Sequence, residues 1–273
     1  MPIHPTRDRR IEAVDEARRW LTEWFDGYND VDAASLRELC HYPLVSFGGG
    51  RLTWHNLAYA VREGPAEFDP THRDPGWGFS LVDRWAVHHH TARKAHLLTD
   101  FTRLRADGTP YAVGLSRLAI VTKEGSEWAV RFLSSCGMRN PASVERDVDP
   151  EITAAVTDFV EDHVAAFARG DDEAVEAAYH YPFVNVDGPD LTVAESPAAL
   201  DVTRPPADDR GDLLSMEVLP PQAGDKVVVD LTVERPTAGG DREREGAILL
   251  VTKQAGEWGV QVRSVTEGAT GIS

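Results

Sequence analysis

The sequence carries one pattern twice. His41-Tyr42-Pro43, followed by Leu44-Val45, returns as His180-Tyr181-Pro182, followed by Phe183-Val184, an offset of 139 residues. Near the end of each half, Val121-Thr122-Lys123 with Glu127-Trp128 returns as Val251-Thr252-Lys253 with Glu257-Trp258, an offset of 130. Two markers in the same order, with offsets that differ by nine residues, identify duplicated domains. The 273 residues divide into two units of roughly 130, a size that buries its own core. We expect a first domain over 1–137, a polar and aperiodic linker over 138–149, and a second domain over 150–273.

The first half opens with an amphipathic helix, in which Ile11, Val14, Leu21, Phe25 and Tyr28 fall near one face. Asp32 is placed to cap a short second helix with Leu36 and Leu39 inside, and Pro43 is expected to end it by disfavouring helix at Tyr42. Leu44 to Phe47 reads as a strand, Gly48-Gly49-Gly50 as a turn, and Arg51 to Trp54 as the returning strand. A third short helix is expected from His55 to Gly64, then a loop or lid from Pro65 to Gly78 around Trp77. Strands follow at 80–91, 94–105 and 112–123, with Asp107-Gly108 as a hairpin signal, and a last strand runs from Trp128 to Ser135.

The second half repeats this order. Asp149-Pro150 starts a helix with Ile152, Val156, Phe159, Val160 and Phe167 as its buried stripe, and Asp171 and Val175 replace Asp32 and Leu36. Ser196-Pro197 is expected to start a third helix, and strands are expected at 213–219, 226–235, 246–253 and 258–265. The shortening lies between that third helix and the strand at 226, where Trp77 and His88-His89-His90 find no counterparts. Each half is α+β, helices first and a meander of antiparallel strands afterwards.

Composition narrows the class of partner. A net charge of −17 argues against a nucleic-acid backbone, which requires clustered Lys and Arg. No apolar run approaches the roughly 20 residues of a membrane span, and the N-terminus lacks the apolar core of a signal peptide, so we expect a cytoplasmic protein. Cys40 and Cys136 are the only cysteines, which suggests neither a disulfide framework nor a four-ligand zinc site, and each is expected as a buried free thiol.

The order of a long helix, a short helix ending near a Tyr, a hairpin and a sheet closed by a Trp-containing strand resembles the nuclear transport factor 2-like superfamily. Its SnoaL-like bacterial members are similar in His41-Tyr42-Pro43, Lys94-Ala95-His96, Phe101-Thr102-Arg103 and Trp128-Ala129-Val130 with Ser134-Ser135. The second half keeps His180-Tyr181-Pro182, Trp258-Gly259-Val260 and Arg263-Ser264, but has Leu231-Thr232-Val233 in place of Phe-Thr-Arg. The resemblance implies two tandem cystatin-like cones, each with helices packed on a curved antiparallel sheet around an apolar pocket. Relatives pair two cones through their sheets, so a tandem chain is expected to form that pair internally, as a pseudo-dimer.

Alternation on the strand from 94 to 105 places Leu97, Thr99, Phe101 and Arg103 on one face, matched by Val227, Val229, Leu231 and Val233 in the second half. Arg103 is then a cation aimed at an apolar interior, to be balanced by an anionic ligand, by an internal carboxylate or by solvent at the mouth. His96 and Asp100 fall on the opposite face, where a His-Asp dyad depends on geometry. The His-Tyr-Pro element serves either as packing at the helix-to-sheet junction or as a donor Tyr42 with His41 as acid or base.

Ketosteroid isomerase, within the same superfamily, carries its general base on the first strand after this element. Phe47 and Gly48 stand there in the first half, and Asp187 beside Gly188-Pro189 in the second reads as a turn residue. His88 and His90 share a strand face, but no third ligand is evident and no metal is expected. Trp77 is a lid over an apolar ligand or a loop anchor. The expected site is the first domain, with His41, Tyr42 and Arg103 as its polar contacts and Trp24, Tyr28, Trp77, Phe101 and His96 around the ligand. The expected function is a cofactor-independent lyase, isomerase or cyclase acting on a small, partly hydrophobic molecule; the alternative is a non-catalytic binding or assembly module.

Overall fold

The computed structural model describes residues 5–48, 51–56, 76–136, 149–200, 212–236 and 242–266. The chain divides into two compact units, Met1–Arg146 and Asp147–Ser273. The expected linker, apart from Asp149, and the expected third helix of the first half beyond Asn56 lie outside the described residues.

In the first unit a long helix α1 (Pro5–Asp30) is followed by α2 (Ala33–Glu38) and six strands: β1 (Cys40–Gly48), β2 (Arg51–His55), β3 (Phe79–His90), β4 (Lys94–Leu104), β5 (Pro110–Glu124) and β6 (Glu127–Cys136). The second unit has α3 (Pro150–Arg169), α4 (Asp172–Ala177), β7 (Tyr179–Asp187), β8 (Asp190–Ala194), β9 (Asp212–Ala223), β10 (Lys226–Pro236), β11 (Arg242–Gln254) and β12 (Glu257–Thr266). The sheet orders are β2-β1-β6-β5-β4-β3 and β8-β7-β12-β11-β10-β9, the same topology twice. One feature departs from the all-antiparallel meander: in each unit the first strand lies parallel to the last. The sheets are therefore mixed.

Local chemistry accounts for most element ends. Asp32 caps α2 by accepting from the Ala34 and Ser35 amides at 3.1 Å, and Asp149 caps α3 by accepting from the Glu151 amide at 2.9 Å. Gly170 closes α3 in the left-handed conformation, with φ 71°. Pro43 does not end α2. That helix stops at Glu38, and His41-Tyr42-Pro43 is already part of β1, with a cis Tyr42–Pro43 bond matched by a cis Tyr181–Pro182 bond in β7. Ser196-Pro197 starts only a single 3₁₀ turn, Pro197–Ala199. β9 is as long as β3, at 12 residues, so the histidine triplet of β3 has positional counterparts, and most of the shortening precedes β9.

Each helix lies on one face of its sheet. In the first unit Ala13, Ala17, Trp20, Leu21, Trp24 and Phe25 of α1 pack with Ala95, Leu97, Phe101, Leu115, Ala119, Val121 and Leu133 of the strands. The buried stripe thus centres on Ala17, Trp20 and Trp24, a few tens of degrees from the stripe read off the sequence. In the second unit Val156, Val160 and Ala166 pack with Val227, Val229, Leu231, Leu249 and Val251. Among the described residues no helix is long and apolar enough to cross a membrane.

Asn29 ties the end of α1 to the start of β3. Its side chain accepts from the Ser80 amide at 2.7 Å and donates to the Ser80 carbonyl at 3.0 Å. Just before β3, Gly78 donates to the Leu104 carbonyl at 2.7 Å, and a Cβ there would stand 2.5 Å from the Ala106 nitrogen and 2.7 Å from the Arg105 carbonyl carbon. The neighbours are backbone and have no rotamer to yield. Gly78→Ala should therefore cost about 1–3 kcal/mol in thermal or urea unfolding, whereas Gly48→Ala, whose Cβ meets nothing within 4 Å, should be near neutral.

Candidate functional site

Five residues expected in the first-domain site come together. Phe101 of β4 packs edge-on against Phe25 of α1 at 5.4 Å, and Tyr28 of α1 lies against Trp77 at 5.0 Å. The Arg103 guanidinium sits over the Trp77 ring at 4.6 Å. Trp77 also donates from its indole nitrogen to the Ser80 hydroxyl at 3.1 Å. Three contacts pin it, so it is an anchor of the loop and not a free lid. Trp24, fully buried, completes the set.

The residue at the centre of this group is one that sequence reasoning missed. Arg117 of β5 pairs across the sheet with Thr99 and Ser135, on the same face as Phe101 and Ala119, so alternation points it beneath α1. It is 6% exposed. Its guanidinium lies 5.8 Å from the Trp24 ring, 5.3 Å from Tyr28 and 5.5 Å from Phe101. Its Nε donates to the Ser135 hydroxyl at 3.3 Å, and among the described residues no carboxylate pairs with it. Aromatic faces stabilise a desolvated cation by about 2 kcal/mol or more at best, which does not replace an anion. The signal was available: Arg interrupts the run Leu115-Ser116-Arg117-Leu118-Ala119 at an inward position, where the second half has Ala247.

Two further polar groups share that face. Ser46 of β1 pairs with Leu133 of the core, and His55 of β2 pairs with Leu44. Both are buried, with 3.2 Å between the Ser46 hydroxyl and His55 Nε2. His55 was expected to begin a helix and instead ends β2.

His41 and Tyr42 stand apart from Arg103. Cys40 and Tyr42 pack against the helix-side core, and strand alternation turns His41 to the other side of the sheet. The two side chains therefore do not meet one ligand together. Tyr42 lies at the level of Ala95 to His96, some seven or eight residues and roughly 25 Å along the sheet from Arg103. Burial, and then the Cys40 thiol beside it, push its phenol above the ordinary value.

The His41 side chain instead forms a bolt. Its Nδ1 is 2.9 Å from the Thr122 hydroxyl, while Arg131 donates to the Pro43 carbonyl at 3.4 Å and ion-pairs with Glu124. The second unit repeats the bolt without charge. His180 Nδ1 is 2.8 Å from the Thr252 hydroxyl, Gln261 donates to the Pro182 carbonyl, and Gln254 donates to Gln261 at 2.7 Å. Glu124 and Gln254, like Arg131 and Gln261, differ by the same 130 residues as the strand marker. A motif held this way in both halves works as packing at the junction of the first and last strands.

His96 is fully buried on the face of β4 away from Phe101, edge-on to His89 at 5.8 Å. Burial, then Lys94 and His89, hold it well below the ordinary imidazole range. Asp100 is taken by Arg84 at 2.9 Å. A register shift between Val87 and His90 breaks the alternation expected in the triplet, and His89 and His90 are both buried. Among the described residues no group of three or more His, Cys, Asp or Glu is arranged to hold a metal. Cys40 is a free buried thiol donating to the Leu36 carbonyl at 3.2 Å, whereas the Cys136 side chain lies outside the described residues.

The second unit is not a filled copy. It contains a cavity of about 60 Å³ lined by His163 and Phe167 of α3, Tyr179 of β7, Leu231 of β10, Ala247 of β11 and Arg263 of β12, among others. His163 is 9% exposed and stacks on Phe159 at 6.3 Å. Its imidazole is lowered to about 4, by burial first and Arg263 second. His41 is also lowered to about 4, by burial and then Arg131.

Both imidazoles are neutral in the folded chain at pH 7. Below their ordinary value of 6.5 the unfolded chain takes up protons that the fold refuses, so this stability is complete above pH 6.5 and is lost as pH falls towards about 4. Urea midpoints measured from pH 7.5 to 4 should fall, and His163→Gln should make that fall shallower.

No family model and no curated protein matches the chain. Among solved structures it is similar to an NTF2-like protein of unknown function from Pseudomonas putida, at 15% identity and TM-score 0.37 over 44% of this chain and 89% of that one. It is similar also to a ketosteroid isomerase-like protein from Erwinia carotovora atroseptica, at 20% identity and TM-score 0.34 over 44% of this chain and 98% of that one. An NTF-2 like protein of unknown function from Silicibacter pomeroyi has 25% identity and TM-score 0.30 over 44% of this chain and 99% of its own. By its own sheet topology the chain is one α+β unit built twice, and each of these NTF2-like and ketosteroid isomerase-like proteins is similar to about 44% of it.

Proposed function

We propose that the first cone takes a small, partly hydrophobic anion, and that this molecule is the substrate of a cofactor-independent lyase, isomerase or cyclase reaction. The observation that carries the reading is Arg117, a buried cation enclosed by Trp24, Tyr28 and Phe101 with, among the described residues, only the Ser135 hydroxyl as a hydrogen-bond acceptor. Ser135 is itself exposed, so the guanidinium lies one side chain below the surface. A carboxylate offers it a bidentate partner, and the rings supply stacking surface for a planar body. Arg117 takes the role that the sequence suggested for Arg103, whose guanidinium lies on Trp77. Chemistry of this class requires a proton acceptor beside the ligand. His55, with Ser46 on the same face, is the imidazole we assign to it.

Arg117→Met separates function from packing. A buried charge replaced by an apolar chain of similar length is often neutral or stabilising. Calorimetric titration with benzoate and phenylacetate should show binding that the variant weakens by about 10- to 100-fold, the worth of a charge-assisted hydrogen bond, while its Tm holds or rises. A fall in Tm with binding unchanged would make Arg117 a structural residue and overturn the reading.

A further inference from the structure

The two cones occupy the same frame with different contents. At the helix offset of 139, Trp24 and Tyr28 become His163 and Phe167; at the strand offset of 130, Phe101, Arg117 and Leu133 become Leu231, Ala247 and Arg263. Three large side chains, Trp24, Phe101 and Arg117, are thus replaced by smaller ones at the place where they enclose the first interior. The result is the cavity of about 60 Å³. A cation returns to it from a different strand, since Arg263 sits on β12 where the first cone has Leu133 on β6.

The polar groups of this cavity are few and defined. Arg263 lies over the Phe167 ring at 5.8 Å, and among the described residues no carboxylate bonds to it. Among the described residues His163 Nδ1 is buried without a hydrogen-bond partner, an unfavourable arrangement unless something accepts from or donates to it. Glu245 also lines the cavity and has an interaction of its own. The remaining lining is Val, Leu, Ala, Phe and Tyr.

We propose that the second cone is a separate binding site for a short-chain monocarboxylate, its carboxylate held by Arg263 and His163 and its alkyl end against Leu231, Ala247 and Leu249. A carboxylate satisfies both polar groups at once, accepting from the guanidinium and from the Nδ1–H tautomer of the imidazole. Size limits the rest. An apolar cavity of about 150 Å³ admits benzene, so about 60 Å³ leaves room for roughly two to four non-hydrogen atoms. Glu245 at the same cavity repels a second negative charge, which sets monocarboxylates above dicarboxylates. The proposal does not depend on the first-cone reading, because the two sets of residues are disjoint.

The test is a titration of the full chain, labelled with ¹⁵N-histidine, followed through the His163 ring resonances at pH 7.5; the signal is identified by its loss in His163→Gln. Acetate, with four non-hydrogen atoms, should produce a saturable shift with half-saturation of about 1 mM, the range for so small a ligand, and succinate should produce none. Arg263→Gln should weaken the response at least tenfold. Ala247→Leu, which fills the cavity and keeps both polar groups, should abolish it, and Arg117→Met should leave it as in the parent. Absence of a saturable acetate shift in the parent, or an equal shift in Arg263→Gln and Ala247→Leu, would overturn the proposal. Each variant's circular dichroism spectrum and Tm distinguish a lost site from a lost fold.

Discussion

The pairing of the first strand of each unit, parallel, with its last strand is the constraint from which the rest of the architecture follows. It brings Cys40 beside Val130 and Tyr179 beside Val260, and so joins the chain leaving the helices to the chain ending the sheet. Parallel neighbours cannot be joined by a tight turn, so everything between must be laid out as a loop and a run of antiparallel strands. The long helix can then cross only one face of the sheet, and that face becomes the interior. A register shift falls at this seam in both units, and the side chains that bridge it are those of the His-Tyr-Pro segment and its partners across β5, β6, β11 and β12.

Within that frame the interior is free to vary, and the two halves have used the freedom differently. The first encloses its cation with large aromatic rings; the second gives up ring volume and places a cation on another strand. Backbone pairing is indifferent to these choices because it is made by amides and carbonyls. The inward positions of β4 and β5 and of β10 and β11 decide what each interior contains, while the outward positions of the same strands keep nearly the same apolar character in both halves.

The sequence made the duplication, the element order and most strand ends legible, because caps, turn glycines and alternating apolar residues act locally. It did not reveal the parallel seam, which depends on which strands meet and not on what either one contains. For the site, alternation along β4 put Phe101 on the inner face, where it joins the helix-side core, while Arg103 follows a register shift and lies over Trp77. Arg117 escaped because its strand is apolar on both faces, from Leu115 to Val121, and an alternation pattern disappears when both faces are buried. His41 was misleading for the opposite reason: a histidine beside a tyrosine in a repeated motif resembles chemistry, yet adjacent strand residues point to opposite sides.

The bolt at the seam has a consequence for how the two copies can change. Arg131 with Glu124 and Gln261 with Gln254 are alternative solutions to one problem, the one charged and the other neutral. Transfer of either member alone from one copy to the other would leave a nearly buried guanidinium facing an amide, or a carboxylate facing a carbonyl-bound amide, with its charge unmatched. Stretches of sequence that include only one of the two positions are therefore not interchangeable between the halves. Recombination between the copies is penalised at the very segment where they look most alike, and this favours their drifting apart as two distinct proteins on one chain.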